Sequence, residues 1–260
     1  SAQFSPACQC VTKLCVSQTM PPDDIYQEDL AKIHIDGYGF HWESAASAVL
    51  RFLRENGIKE GTIVDLGCGG GQWLERLSRE GYTVCGVDRS PSMIKAAKKR
   101  VPKGTFILGS FADVDLPRCN AVNALGEPIN YLDGQQSIRR VFRNVFQALR
   151  PGGIFIFDAR EPATRPVEPR IHTRLADEWA CISRIEEDGT KNSLVRRITT
   201  FRKVGTSYRR REELHALKLY SKSEMVRWLR EAGFRVRTYR QYGKYKLAER
   251  QSAYVARKPG

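Results

Sequence analysis

No run of 18 apolar residues occurs in this 260-residue chain, so no segment is expected to cross a membrane as a helix. The first residues also lack a basic stretch leading into an apolar one, and no secretory signal is expected. Paired cysteines and histidines at zinc spacing are missing. Cys8, Cys10 and Cys15 cluster near the start without a second such pair, so no metal site is expected. The other four, Cys68, Cys85, Cys119 and Cys181, are scattered in or beside expected strands, which suits buried reduced thiols in a cytoplasmic protein. No internal repeat is visible.

Acidic residues run short in one place only. Residues 170–260 hold 23 Lys and Arg against 10 Asp and Glu, while residues 1–169 hold 20 against 19. Nearly all of the +14 net charge therefore belongs to the C-terminal third. A basic face there could attract an anionic substrate or nucleic acid. The arginines are spread over several elements, however, and a solvated surface is the plainer reading.

Apolar residues make up 41% of the chain, enough for a substantial core. Residues 1–22 have little periodic pattern and end in Pro21-Pro22; a disordered tail is expected, with Met20 an alternative beginning. Residues 23–60 read as a helical cap. Trp42, Ala45, Ala46, Val49, Leu50 and Leu53 repeat at helical spacing, and Asn56-Gly57 stops the helix.

Strand and helix then alternate. Strands are expected at 62–66, 83–87, 105–108, 121–125 and 154–157. Helices are expected at 71–80, from Ser90-Pro91, and at 135–149, the last stopped by Pro151-Gly152-Gly153. That rhythm argues for a parallel sheet covered on both sides. Residues 170–220 break it with three expected strands, at 179–185, 194–201 and 208–220, joined by Gly-containing turns. A helix at 222–232 and strands near 235–239 and 253–257 resume the alternation. The expected organisation is a core of 61–169 and 221–260 carrying an antiparallel β insertion at 170–220.

A glycine-rich turn, Gly67-Cys68-Gly69-Gly70-Gly71, follows the first strand and leads into a helix, with Asp65 just before it. Glycine lets backbone approach a ligand closely and adopt positive φ. Val87-Asp88 ends the next strand, where a carboxylate can accept both hydroxyl hydrogens of a ribose. Gly109-Ser110-Phe111 follows the third strand, and Arg150-Pro151-Gly152-Gly153 precedes the fifth.

Together with Ala124-Leu125-Gly126-Glu127, these segments resemble the ordered motifs of class I S-adenosylmethionine-dependent methyltransferases of the small-molecule type. The resemblance covers roughly residues 60–160, with a weaker echo at 224–234. It implies a three-layer, Rossmann-like α/β fold with a mostly parallel seven-stranded sheet, and S-adenosyl-L-methionine as cofactor. Asp65, Gly67, Gly69 and Gly71 would hold the methionine part, Asp88 the ribose, and Arg89 and Met93 would flank the adenine. Ser110 and Phe111 would face the adenine edge, with Ser110 standing where the family usually has Asp. Leu125 and Gly126 would form the floor beneath the sulfonium. A nicotinamide dehydrogenase would place a third glycine where this chain has Gln72.

Methyl transfer from a sulfonium is an in-line displacement, so positioning of the acceptor supplies much of the rate. Substrate-side candidates are His34 and Tyr38, with Tyr26, Phe40, His41 and Trp42 in the same cap. Glu127, Asn130 and Tyr131 follow the fourth strand; Asp158 and Arg160 follow the fifth. Each could equally serve as a helix cap or in packing, and His41 and Trp42 read as packing. His215, on an insertion strand, is a further candidate. The expected acceptor is a small-molecule amine or hydroxyl, enclosed by cap and insertion. The alternatives are an RNA or protein methyltransferase using the basic third, and a non-catalytic cofactor-binding scaffold. No recognisable RNA-binding module is present, and the Asn-Pro-Pro-Tyr type motif of base methyltransferases is absent at Leu125-Gly126-Glu127-Pro128. No membrane partner is expected, and oligomeric state is left open.

Overall fold

The computed structural model describes residues 25–260, so the expected tail at 1–22, with Cys8, Cys10, Cys15 and Met20, lies outside the described residues. Two helices come first, α1 (Glu28–Gly37) and α2 (Phe40–Glu55). The alternating core follows: β1 (Thr62–Leu66), α3 (Gln72–Arg79), β2 (Thr83–Asp88), α4 (Pro91–Arg100), β3 (Thr105–Leu108) and β4 (Cys119–Ala124). A 3-10 turn at Pro128–Tyr131 leads to α5 (Gly134–Ala148) and β5 (Leu149–Arg160). Four long strands then intervene: β6 (Arg170–Ala176), β7 (Trp179–Asp188), β8 (Ser193–Val204) and β9 (Ser207–Lys218). The chain closes with α6 (Lys222–Glu231), β10 (Arg235–Tyr239), the two-residue strands β11 (Gln241–Tyr242) and β12 (Tyr245–Lys246), and β13 (Gln251–Arg257).

Seven strands form one sheet in the order β10-β13-β5-β4-β1-β2-β3. β1 runs parallel to β2 and β4, and β5 parallel to β4, while β13 is antiparallel to both β5 and β10. Alternate side chains of each strand feed two cores. Val64, Leu66, Phe155 and Phe157 pack with α5 and α6; Ile63, Ala121 and Ile156 pack with α2, α3 and α4. The result is three layers, and β1 carries Asp65 on the α2–α4 side.

Local chemistry sets the helix ends. Ser90 Oγ accepts from Met93 N at 3.2 Å, and Pro91 takes the first turn of α4. Ser221 and Glu224 cap α6 reciprocally. Two expectations are corrected. The stop at Pro151-Gly152-Gly153 is a bulge within β5: Cys119 pairs with Leu149, then Ala121 with Ile154. The insertion has four strands rather than three. Every residue of β6 is exposed, so no buried face marks it in the sequence, and pairing with β7 holds it.

The N-terminal cap is two helices, and α1 is fastened mainly to the insertion. Asp29, 3% exposed, accepts from both Arg202 and Arg209. Burial alone would raise its carboxyl pKa, but those two guanidiniums outweigh it and hold it below the usual range. The stabilisation is thus complete above about pH 4 and is lost as pH falls through the depressed pKa. Asp29→Asn should speed hydrogen exchange in α1 roughly tenfold or more, as expected for losing about 1.5–3 kcal/mol of charged hydrogen bonding. The core should exchange as before. Unchanged protection of residues 28–37 would show that α1 is held by something else.

Candidate active site

After Leu66 the chain turns sharply, with Gly67, Gly69 and Gly71 at φ of +73°, +52° and +78°. Any other L-residue would be strained there by about 1–2 kcal/mol. Space separates their roles. A Cβ on Gly67 would lie 2.8 Å from Pro128, and one on Gly71 would lie 3.1 Å from Ala97 of α4. One on Gly69 would meet nothing nearer than Met93 Sδ, at 3.9 Å. Gly71 thus packs against α4 and is not among the residues that line the cleft.

The turn opens on a cleft of about 1170 Å³, its open mouth included. Its walls bring together Asp65, Gly67, Gly69, Asp88, Arg89, Met93, Ser110, Phe111, Leu125 and Gly126 from the ends of four strands, with His34, Tyr38 and Tyr131. This edge, beyond the carboxyl ends of the parallel strands, is where open α/β sheets bind ligands. Asp88 is oriented by Gly69 N and Ser90 N, each 2.9 Å from one of its oxygens. Burial pushes the pKa of both Asp65 and Asp88 up, and the charge of Asp88 adds to the rise at Asp65. Among the described residues no cation offsets Asp65. Burial thus makes ionisation of both carboxyls costly, and a cationic ligand placed beside Asp65 would favour its ionised form.

α1 forms the lid. Ile35 O accepts from Gln72 Nε2 at 3.0 Å, and Tyr26 O accepts from Ser90 Oγ at 2.7 Å. From the insertion, the Glu213 carboxylate accepts from Tyr26 N and Gln27 N at the start of the helix. These contacts lay Tyr26, His34 and Tyr38 over the cleft, and His34 and Tyr38 stack at 5.5 Å. His34 is pulled down to about 4 by burial first, then by His41, His215 and Arg196, so its ring is neutral at physiological pH. His41 and Trp42 also line the cleft. Phe40 is 40% exposed and does not.

Glu127, Asn130 and Arg160 do not line the cleft. Glu127 is 6% exposed, and its two oxygens are taken by Arg160 Nε at 3.0 Å and Arg196 Nη2 at 2.6 Å. Burial would raise its carboxyl pKa, but the two guanidiniums win and lower it. Asn130 is fully buried; it donates to Arg160 O and Lys218 O and accepts from Arg160 N, tying β5 to β9. Asp158, expected at the same edge, accepts from Gly126 N, Glu127 N, Gln251 Nε2 and Tyr242 Oη. Those bonds hold Glu127 at φ +67°, and their combined worth exceeds the strain of that conformation.

Sequence reasoning missed Arg196 and Glu213, and His215 carried only weak weight. Arg196 Nη1 lies 3.4 Å from Tyr131 Oη, His215 Nδ1 lies 3.0 Å from the same oxygen, and His215 Nε2 lies 3.0 Å from Glu213 Oε2. The available signal was Glu213-x-His215 on one face of a strand, with Tyr131 as its partner far away in sequence.

A family profile described as a methyltransferase domain matches residues 63–153. The dTDP-4-amino-2,3,4,6-tetradeoxy-D-glucose N,N-dimethyltransferase of Saccharopolyspora spinosa is 26% identical, over 81% of this chain and 87% of its own. Among solved structures, a S-adenosylmethionine-dependent methyltransferase from Clostridium acetobutylicum matches with TM-score 0.77 at 17% identity, covering 88% of this chain and 96% of that one. The S-adenosylmethionine-bound amino pentose methyltransferase from Micromonospora echinaspora matches with TM-score 0.72 at 20% identity, covering 90% and 97%. At these identities the two structures speak for the fold.

Glu127→Gln would leave two poorly exposed guanidiniums facing each other without a carboxylate. Breaking a buried ion pair from one side costs about 3–5 kcal/mol, and denaturant unfolding should register a loss of that order. A change under about 1 kcal/mol would mean the arginines are solvated despite their 19% side-chain exposure.

Proposed function

We propose, from the premise that this chain is a class I S-adenosylmethionine-dependent methyltransferase, that it methylates the amine of a small molecule of the amino-sugar kind. S-adenosylmethionine is the cofactor. When bound, it supplies an electrophilic methyl group on a sulfonium that leaves as a neutral thioether. The residues at the cleft fit such a ligand: Asp65 lacks a compensating cation, Asp88 is already oriented, and a Cβ on Gly126 would meet nothing within 4 Å. In this assignment Asp65 and the Gly67–Gly69 turn hold the methionine part, and Asp88 accepts from the ribose hydroxyls. Arg89 and Met93 would flank the adenine, Ser110 and Phe111 would meet its edge, and Leu125 and Gly126 would form the floor on the sulfonium side.

The closed lid is the observation that carries the small-molecule reading. α1 is bonded to the core through Ile35 and to the insertion through Asp29, and Tyr26 and Gln27 just before it are bonded to Ser90 and Glu213, which supports an enclosed site over an open groove. His34, Tyr38 and Tyr131 are the acceptor-side groups in this reading, and they come from two remote parts of the chain. The amino-sugar choice draws on the names of the Saccharopolyspora and Micromonospora proteins. Arginines of the basic third are partly consumed by acids, Arg202 and Arg209 by Asp29 and Arg196 by Glu127, which weakens the case for an RNA-binding face. No helix among the described residues is long and apolar enough to cross a membrane. Cys68, Cys85, Cys119 and Cys181 are buried and free, which supports a cytoplasmic setting.

Two measurements test this. Radiolabelled methyl transfer should favour dTDP-amino sugars over their hydroxyl counterparts, bulk RNA and denatured protein; preferential labelling of RNA or protein would overturn the acceptor class. No S-adenosylhomocysteine from any acceptor pool would point to a scaffold. For the cofactor side, Asp88→Ala removes charge-assisted hydrogen bonds worth roughly 1.5–3 kcal/mol each. Calorimetry should therefore find S-adenosylhomocysteine bound at least about tenfold more weakly by the folded variant, and equal affinity would remove Asp88 from the ribose.

A further inference from the structure

Tyr131 lines the cleft, and a hydrogen-bonded chain leads from its hydroxyl into the insertion. The direction of that chain follows from what each group can do. A carboxylate only accepts, so the proton facing Glu213 sits on His215 Nε2. In a neutral ring Nδ1 is then bare, and it accepts from Tyr131 Oη. Arg196 only donates, so its Nη1 contact falls on the same oxygen as an acceptor. His215 is fully buried and Glu213 is 6% exposed, which keeps water from substituting for either.

The geometry points to a proton relay in which Tyr131 takes a proton from the acceptor amine and passes its own to His215, with Glu213 holding the resulting imidazolium. The inference rests on the amine-acceptor reading above. An alkyl amine, with a pKa near that of lysine at about 10, enters at neutral pH as an ammonium without a lone pair. It cannot attack until that proton is gone. In the relay the N–H bond of the ammonium breaks and an O–H bond forms at Tyr131. The original Tyr131 O–H breaks and an N–H bond forms at His215 Nδ1. One positive charge moves from the acceptor to the imidazole, where Glu213 compensates it, and no electrons change hands. Tyr131 is the catalytic residue; His215 and Glu213 act through it.

Other groups do not offer this path. His34 and His41 line the cleft but pair with no carboxylate among the described residues, and burial lowers both. The groups that face His215 come from five elements. They are Tyr131 from the 3-10 turn, Arg196 opposite it on β8, Glu213 on its own strand, Tyr26 with ring centroids 4.9 Å away, and His34 from α1. Glu213 also accepts from Tyr26 N and Gln27 N, so the same carboxylate that closes the relay anchors the lid.

The test has an arm that needs no acceptor. Nitrogen NMR of labelled histidine in the S-adenosylhomocysteine complex, with His215 assigned by its loss in His215→Asn, should show a neutral ring protonated at Nε2 near neutral pH. A doubly protonated ring, or a proton on Nδ1, would overturn the relay, because His215 could then accept nothing from Tyr131. The second arm uses dTDP-4-amino-2,3,4,6-tetradeoxy-D-glucose as acceptor. Tyr131→Phe, His215→Asn and Glu213→Gln should lower kcat about a hundredfold below the pKa of the amine and move the acid limb of the pH profile towards that pKa. For His215→Asn, which does not line the cleft, KM and S-adenosylhomocysteine affinity should stay within about twofold, and Glu213→Asp should restore part of the rate lost in Glu213→Gln. Should Glu213→Gln fail to fold, Tyr131→Phe and His215→Asn decide. Profiles that superimpose on the wild type overturn the relay. If wild-type enzyme turns over no amine probe, the amine reading itself falls, and the relay is then judged on the state of the ring.

Discussion

The Glu127 carboxylate lies between guanidiniums from two different sheets, Arg160 at the end of β5 and Arg196 near the start of β8. Everything on the acceptor side of the cleft is referred to that contact. It sits in a turn whose backbone is held in an unfavourable conformation by Asp158, and so inherits its position from the carboxyl edge of the central sheet. Asn130, three residues on, repeats the connection through backbone groups of β5 and β9. A buried ion pair does not by itself add much stability relative to apolar packing. Its value here is geometric: with one carboxylate and two planar guanidiniums, the insertion has a fixed docking position on the core.

From the insertion, position passes on to the lid. Asp29 on α1 meets Arg202 and Arg209, and Glu213 meets the first backbone N–H groups before the helix. The order of dependence is therefore core, insertion, lid, and the bonds of Ile35 to Gln72 and of Tyr26 to Ser90 return the lid to the core. Such an arrangement explains why chemistry-bearing side chains near residue 34 and near residue 215 can converge on a turn near residue 131. It also assigns any opening of α1 to a small set of polar contacts, with the two main cores left intact.

The parallel core was legible because its signals are local. Apolar strands, glycine turns and the Ser90-Pro91 and Asn56-Gly57 boundaries can each be read within a few residues, and the three-layer sheet follows from their order. The residues expected to hold the cofactor are equally local, since they lie at or just after the ends of strands. The acceptor side was harder for a definite reason. On β9 the buried face carries Glu213, His215 and Leu217, while Leu214 on the opposite face is 43% exposed. Alternation there runs against hydrophobicity, so the pattern that finds strands mislabels their faces. Glu127 was selected for its place after the fourth strand, but its partner Arg196 lies 69 residues away, and nothing short-range announces that pairing.

How the buried acids are compensated separates scaffold from site. Asp29 and Glu127 each meet two arginines, and both have carboxyl pKa values below the ordinary range. Asp158 has no arginine but is surrounded by N–H and O–H donors that fix a turn, and burial still pushes it up to about 6. Asp65 has neither: burial and the neighbouring Asp88 push it well up, and no guanidinium answers. Leaving a carboxylate desolvated and uncompensated costs several kcal/mol unless it takes up a proton. In a chain with 43 lysines and arginines, a structural acid could readily have been given a cation. Asp65 is therefore the cleft carboxylate whose positive partner would arrive with the ligand, and a sulfonium beside an α-ammonium carries that charge.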